Sequence, residues 1–175
     1  VFQMMKVKLF IPCYIDQFYP QVGIATYQLL QSLGCNVVYP ENQTCCGQPM
    51  ANSGFNHLTQ SCNDLFVENF DGDDYIVCPS GSCTLHIKEH LHTAQSDADK
   101  RIRNNVYELT EFITDILNVT TIHATFPHKV GFHISCHGQR MLHLSSMSEL
   151  VAPSFSKPQL LLNSIKGLEI FYPER

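Results

Sequence analysis

Several kinds of segment are missing from this sequence of 175 residues. It has no apolar run long enough to span a bilayer, which excludes a transmembrane segment of the helical kind. The short apolar run from Leu9 to Pro12 lacks the long apolar region and small-residue cleavage site of a signal peptide. Basic residues are few and scattered, 11 Lys and Arg against 16 Asp and Glu, for a net charge of −5. That balance excludes a nucleic-acid footprint and a polybasic membrane patch. No Gly-x-Gly-x-x-Gly fingerprint, phosphate loop or nucleophile elbow appears, so dinucleotide, P-loop and serine-hydrolase chemistry have no foothold.

What is present is an apolar content of 44%, enough for a packed core, with eight cysteines and nine histidines. The length fits one ordinary domain, or one domain and part of another. With no such features in the run, the expected compartment is the cytoplasm. In that reducing compartment cysteines read as metal ligands, redox groups or core fillers rather than a disulfide framework. Val1-Phe2-Gln3, ahead of Met4-Met5, read as a remnant of cloning.

The chain is organised around Thr44-Cys45-Cys46-Gly47-Gln48-Pro49. Adjacent cysteines make a strained disulfide but a natural pair of thiolates for one soft metal or cluster. Gly47 accepts backbone angles that a side chain resists, and Pro49 suits the first turn of a helix.

Around that loop the periodicity alternates. Lys6 to Ile11 predicts a strand ended by Pro12. A helix opens at Tyr19-Pro20, with Val22, Ala25, Leu29, Leu30 and Leu33 as its apolar stripe and Gly34 as its stop. Cys35 to Tyr39 predicts the second strand. A helix broken near Ser53-Gly54 runs to Phe70, with Leu58, Cys62, Leu65, Phe66 and Phe70 as its buried stripe. Tyr75 to Val77 predicts the third strand, followed by Cys78-Pro79-Ser80-Gly81-Ser82-Cys83 and a helix through Leu91. Ser96 to Lys100 reads as a polar connection, and Val106 to Leu117 as an amphipathic helix. Lys129 to Ser135 predicts a fourth strand, followed by Cys136-His137-Gly138. The pattern predicts an α/β fold: a three-layer, Rossmann-like parallel sheet with helices on both faces and right-handed crossovers. Ligands of such sheets collect beyond the carboxyl ends of the strands. Cys13, Cys45, Cys46, Cys78, Cys83 and Cys136 all fall there; Cys35 and Cys62 do not, and read as small core residues.

The chain also repeats itself. Leu29-Leu30-Gln31-Ser32-Leu33-Gly34 leads into Val37-Val38-Tyr39-Pro40-Glu41, as Leu161-Leu162-Asn163-Ser164-Ile165-Lys166-Gly167 leads into Ile170-Phe171-Tyr172-Pro173-Glu174. Ile11-Pro12-Cys13 likewise matches Ile134-Ser135-Cys136. A repeat implies duplicated units. The expected division is a first cysteine-rich domain at 4–128 and the beginning of a second, cut short, at 129–175.

With these residues in place, the chain resembles the cysteine-rich "CCG" iron–sulfur oxidoreductase family. That family includes the cysteine-rich component of heterodisulfide reductase, the glycolate oxidase iron–sulfur protein and the lactate-utilisation protein A group. The resemblance to the last group is strongest. It rests on Cys45-Cys46-Gly47-Gln48-Pro49 with Asn52-Ser53-Gly54, on Pro79-Ser80-Gly81-Ser82-Cys83, and on Ser135-Cys136-His137 with Arg140. It implies a cytoplasmic subunit that passes electrons in oxidation of a small 2-hydroxy acid, L-lactate to pyruvate. It implies partners that are other iron–sulfur or dehydrogenase subunits of a lactate-oxidation complex. It further implies an iron–sulfur cluster, 4Fe-4S in type, on Cys13, Cys45, Cys46 and Cys83. Cys78 and Cys136 are further candidates, Cys136 for the second unit's site. Members of the family close the motif with Cys-x-x-Cys, whereas four residues separate Cys78 from Cys83 here.

The residues alone leave three readings open: a cluster, a reversible thiol–disulfide module, and a zinc-stabilised scaffold for docking partners without catalysis. Ser80-Gly81-Ser82 at a helix start favours anions and would lower the pKa of Cys83. His86 and His90 share a helical face with Cys83 and read as exposed. His133 and His137 flank Cys136, and His137 reads as a strand-end histidine bonded to backbone.

Overall fold

Lys6-Val7-Lys8-Leu9 alternates polar and apolar residues, and it forms β1 (Lys6–Leu9) with Val7 and Leu9 buried. The computed structural model describes residues 4–147 and 154–172. The chain forms two compact units, one ending at Leu109 and the other beginning at Thr110.

In the first unit β1 is followed by helices α1 (Cys13–Phe18) and α2 (Pro20–Ser32), strand β2 (Asn36–Val38) and helix α3 (Gln48–Asn52). A 3₁₀ turn at Asn56–Leu58 and α4 (Gln60–Phe70) lead to β3 (Tyr75–Cys78). Then come α5 (Gly81–His90), α6 (Ser96–Asn105) and β4 (Val106–Glu108). The four strands are all parallel and lie in the order β2-β1-β3-β4. The α/β fold class is therefore as the sequence implies. The order reverses at β1: the chain leaves β1 toward β2, then crosses back to place β3 on the other side. A crevice opens at the carboxyl ends of the strands at such a switch point.

Right-handed crossovers put α2 on one face of the sheet and α4, α5 and α6 on the other. On the second face Phe10 meets Phe66 and Phe70 edge-on, at 4.9 and 5.6 Å between ring centroids, and Phe66 stacks on Phe70 at 4.4 Å. Ile76, Ile87, Leu91, Ile102 and Val106 complete this core. Burial of each such side chain stabilises the fold by about 1.5–3 kcal/mol.

Local pattern and structure part company in several places. The stripe expected on α2 is turned: Gly23, Thr26 and Leu30 face inward, while Val22 and Ala25 are exposed. Gly23 packs against Ile11, which a Cβ there would meet at an ordinary contact distance of 3.4 Å. On α4 the buried face is Asn63, Phe66, Val67 and Phe70, and Leu58 is exposed. Ser96–Asn105 is a helix rather than a connection, with Ala98, Asp99 and Ile102 buried. Asp99 is held there by the Thr93 backbone N–H (2.7 Å) and hydroxyl (2.7 Å). Val106–Glu108 is strand β4, not the start of a helix, because it pairs with Ile76–Cys78. The helical residues begin only at Leu109, in α7 (Leu109–Glu111).

In the second unit a π-helical turn at Phe112–Ile116 is followed by β5 (Lys129–Gly131), α8 (Lys157–Asn163) and β6 (Glu169–Phe171). Strand β5 is shorter than the expected Lys129–Ser135. It pairs in parallel with β6. Both copies of the repeat thus form a parallel strand–helix–strand unit. Gly34 and Gly167 follow the two helices in left-handed conformation, at φ +85° and +81°. Pro173-Glu174 of the repeat lies outside the described residues.

Candidate functional site

Three loops bring sulfur to the switch point. Cys13 is the first residue of α1, directly after β1 and the buried Phe10-Ile11-Pro12. Cys45 and Cys46 lie in the loop after β2. Cys83 lies in the first turn of α5, after β3. Thiol protons link the four in a row: Cys13 with Cys45, Cys45 with Cys46, and Cys46 with Cys83.

The Cys-Cys loop is shaped by Gly47, at φ +87° and ψ −9°. A side chain there would be strained by the backbone and would meet Thr59 at 3.1 Å. Pro49 sits in the first turn of α3, as expected. Two carboxamides that the motif reading overlooked hold the loop. Gln43 accepts from the Ile11 N–H (2.7 Å) and donates to the Leu9 and Pro40 carbonyls (3.1 and 2.8 Å), tying the end of β1 to the loop. Gln48 donates to the Ser82 carbonyl at 3.1 Å, tying the loop to the α5 turn. Gln48 stands within the motif without an evident role, and only its place beside the motif hints at that of Gln43.

The sulfurs differ in protonation. The Cys46 thiol, followed by the Gly47 N–H at 3.4 Å, draws the Cys45 pKa down to about 5. Cys83 is lowered to about 7, by the Cys46 thiol first and then by the Ser80 and Ser82 hydroxyls against the opposing effect of burial. The lowering expected at this helix start is therefore seen, with side-chain donors as its source. Cys13 is raised to about 11 by burial and by Cys45. Cys46, whose single thiol proton lies between Cys45 and Cys83, is raised strongly. The site thus favours the thiolate at Cys45 and Cys83 and the thiol at Cys13 and Cys46.

The other candidates sit elsewhere. Cys78 ends β3 fully buried in the core; its thiol points to the Ser80 carbonyl at 3.7 Å, and burial pushes its pKa well up. Cys136 belongs to the second unit, exposed at the start of a π-helical turn at His137–Met141. Cys35 is buried, as expected of a core residue. Cys62 is only half-buried; it lies behind Gly47 and feels the charge of Cys45. His86 departs from expectation: it is 4% exposed, donates to the Cys46 carbonyl, and is held neutral by burial, with its pKa pushed down to about 4. His90 is exposed. His133 and His137 are exposed as well. Among the described residues, no three His, Cys, Asp or Glu side chains are arranged to hold a single metal ion.

A parallel α/β unit with paired cysteines at its switch point defines a cysteine-rich domain, and residues 7–88 match the family model described as "Cysteine-rich domain". Over 170 residues the chain is 41% identical to lactate utilization protein A of Bacillus subtilis, covering 94% of this chain and 67% of that protein. It is 40% identical to lactate utilization protein A of Geobacillus kaustophilus over 171 residues, covering 95% of this chain and 67% of that protein. The protein of Bacillus thuringiensis that bears the same name is 37% identical over 171 residues, with 95% and 67% covered. The chain belongs to the lactate utilization protein A family. No solved structure gives a significant match. Among the described residues, no helix is long and apolar enough to cross a membrane.

Proposed function

We propose that this protein is an electron-transferring subunit of a cytoplasmic lactate-oxidising system, and that Cys13, Cys45, Cys46 and Cys83 hold an iron–sulfur cluster of 4Fe-4S type. The observation that carries the reading is the gathering of four sulfurs from three loops at the switch point, two of them with their pKa lowered toward the thiolate. An all-sulfur donor set suits iron–sulfur ligation. When bound, the cluster supplies one-electron transfer at a potential set by hydrogen bonding and exposure.

The chain's own residues prepare the site. Gly47 lets the loop turn close to Thr59, and Gln43 and Gln48 hold its two ends. The Ser80 and Ser82 hydroxyls stabilise Cys83 as thiolate, and burial of Cys46 and Cys83 keeps water from that side. Loading must release the protons on Cys13 and Cys46, so uptake strengthens as pH rises. Cys83, rather than the core-embedded Cys78, closes the set. Oxidation of L-lactate to pyruvate releases two electrons and two protons. We assign the bond-breaking step to a partner dehydrogenase subunit and the onward passage of electrons to this one. The repeat supports reading residues 129–175 as the opening of a second such unit, with Cys136 in the place of Cys13.

One observation favours a second reading: the Cys45 thiolate beside the Cys13 thiol is the pairing a thiol–disulfide module needs. Iron and acid-labile sulfide measured on anaerobically prepared protein, beside a Cys45→Ser, Cys46→Ser variant, separate the two. The expected result is near-stoichiometric iron and sulfide in the parent and neither in the variant. Thiols that titrate as a reversible pair, with no iron or sulfide in either protein, overturn the cluster reading. Zinc in their place supports the docking scaffold.

A further inference from the structure

Beside the thiol loop, and unused by it, lies a cleft of about 410 Å³ lined by Asn63 of α4, His86 and His90 of α5, and His92 just beyond. Two of these side chains are almost wholly buried, His86 at 4% exposure and Asn63 at 3%. Each holds a polar atom with no hydrogen-bond partner: His86 Nε2 and Asn63 Oδ1. Both atoms are electron-pair donors. His86 gives its other ring proton to the Cys46 carbonyl, which leaves Nε2 as a bare lone pair. Asn63, in the lining, spends its NH₂ on the His92 carbonyl at 3.2 Å and leaves Oδ1 without a partner. Buried acceptors left unpaired destabilise a fold, and two of them in one cleft offer a pair of lone pairs to a guest.

The geometry narrows the guest. His86 and His90 stand one helical turn apart, with ring centroids 5.3 Å apart and planes tilted by 45°. That i, i+4 spacing on one helix is how two imidazoles meet a single ion. A histidine whose second ring N–H is fixed on a backbone carbonyl has the tautomer and orientation of a metal ligand. The Glu89 carboxylate, 3.9 Å from His90 Nε2, adds negative charge at the rim. No third His, Cys, Asp or Glu joins the pair among the described residues, which leaves the unpartnered amide oxygen of Asn63 as the further donor in the lining. Imidazole with an amide oxygen suits borderline ions of the zinc, cobalt and nickel class.

We propose that this cleft binds one divalent transition-metal ion of that class through His86 Nε2, the His90 imidazole and Asn63 Oδ1. The site is distinct from the four cysteines and does not rest on the cluster reading. The test is cobalt(II) and zinc(II) titrated anaerobically into the protein, followed by calorimetry and by the cobalt absorption spectrum. Compared with the parent are His86→Gln, His90→Gln and the Cys45→Ser, Cys46→Ser variant. The expected result is one ion bound with ligand-field bands but no thiolate charge transfer at this site. Binding persists in the cysteine variant and weakens by roughly 10–100-fold in each histidine variant. His90 is exposed, so His90→Gln keeps the test intact if His86→Gln fails to fold. Unchanged affinity in His90→Gln, or an absence of binding to the parent, overturns the proposal. So does an ion that carries thiolate charge transfer and is lost in the cysteine variant. Iron and sulfide content in His90→Gln stays at the parent's level, so the two sites succeed or fail separately.

Discussion

Cys13 and Cys136 occupy the same place in two copies of one pattern, each after a short strand and at the start of a helical turn. Each copy continues through a helix that is followed by a left-handed glycine into a strand parallel to the first. Yet Cys13 is half-buried, shares a proton with Cys45 and is raised to about 11, whereas Cys136 is exposed. The local unit therefore builds the scaffold and places one cysteine. The chemistry of that cysteine comes from loops that follow later in the chain, Cys45-Cys46-Gly47 and the turn at Cys83. A cysteine at a strand end gains other cysteines as neighbours only where the topology brings other strand ends beside it.

The comparison breaks most sharply at Gly47. Gly47→Val puts a branched side chain at φ +87° and against Thr59. The left-handed backbone costs about 1–2 kcal/mol and overpacking about 1–3 kcal/mol more. Urea melts should show that loss, and alkylation of Cys45 at mildly acid pH should fall with it as the loop shifts. Full stability with unchanged alkylation would detach the thiol site from this turn.

The two repeat glycines offer a finer contrast. A side chain at Gly34 meets nothing within 4 Å, so Gly34→Ala bears only the left-handed penalty of about 1–2 kcal/mol. At Gly167 the same change drives a methyl to 3.1 Å from the backbone of Pro127, and the loss should be larger. Thermal melts of the two variants rank them; equal losses would mean that the second copy is free to relax.

The smallest effect lies at Asp71, outside both cysteine loops. Its carboxylate accepts two hydrogen bonds from Arg101, at 3.0 and 2.8 Å, and Arg101 holds its pKa below the ordinary value. A lowered carboxylate pKa stabilises the fold above the unfolded value, and the benefit disappears as pH falls through the folded one. Arg101→Ala should move the acid limb of the stability profile slightly upward in pH, more at low salt than at high. An unchanged acid limb would show the pair to be energetically silent.

Much of the site was open to reading from residues in order. Cysteines after successive strands, the glycine that turns the Cys-Cys loop and the proline after it are local signals. Strand β4 was not legible, because three residues are too few for a periodicity and Val106 also fits a helical stripe. Helix α6 was hidden by its polarity; its buried residues include Asp99, which Thr93 satisfies from outside the helix. Gln43 lies outside every motif and Gln48 stands in one without an evident role, because their bonds join residues distant in sequence. His86 lies on a helix whose neighbours suggest exposure, and packing buries it behind the Cys46 carbonyl.

Alternation of apolar runs with turn residues already implied a parallel α/β chain, its repeat and the sulfur-bearing ends of its strands, because those features follow from periods of a few residues. Strand order, the meeting of Cys13, Cys45, Cys46 and Cys83, their unequal protonation and the histidine cleft belong to the tertiary structure alone. Proton sharing and desolvation depend on distances through space, and no spacing along the chain encodes them.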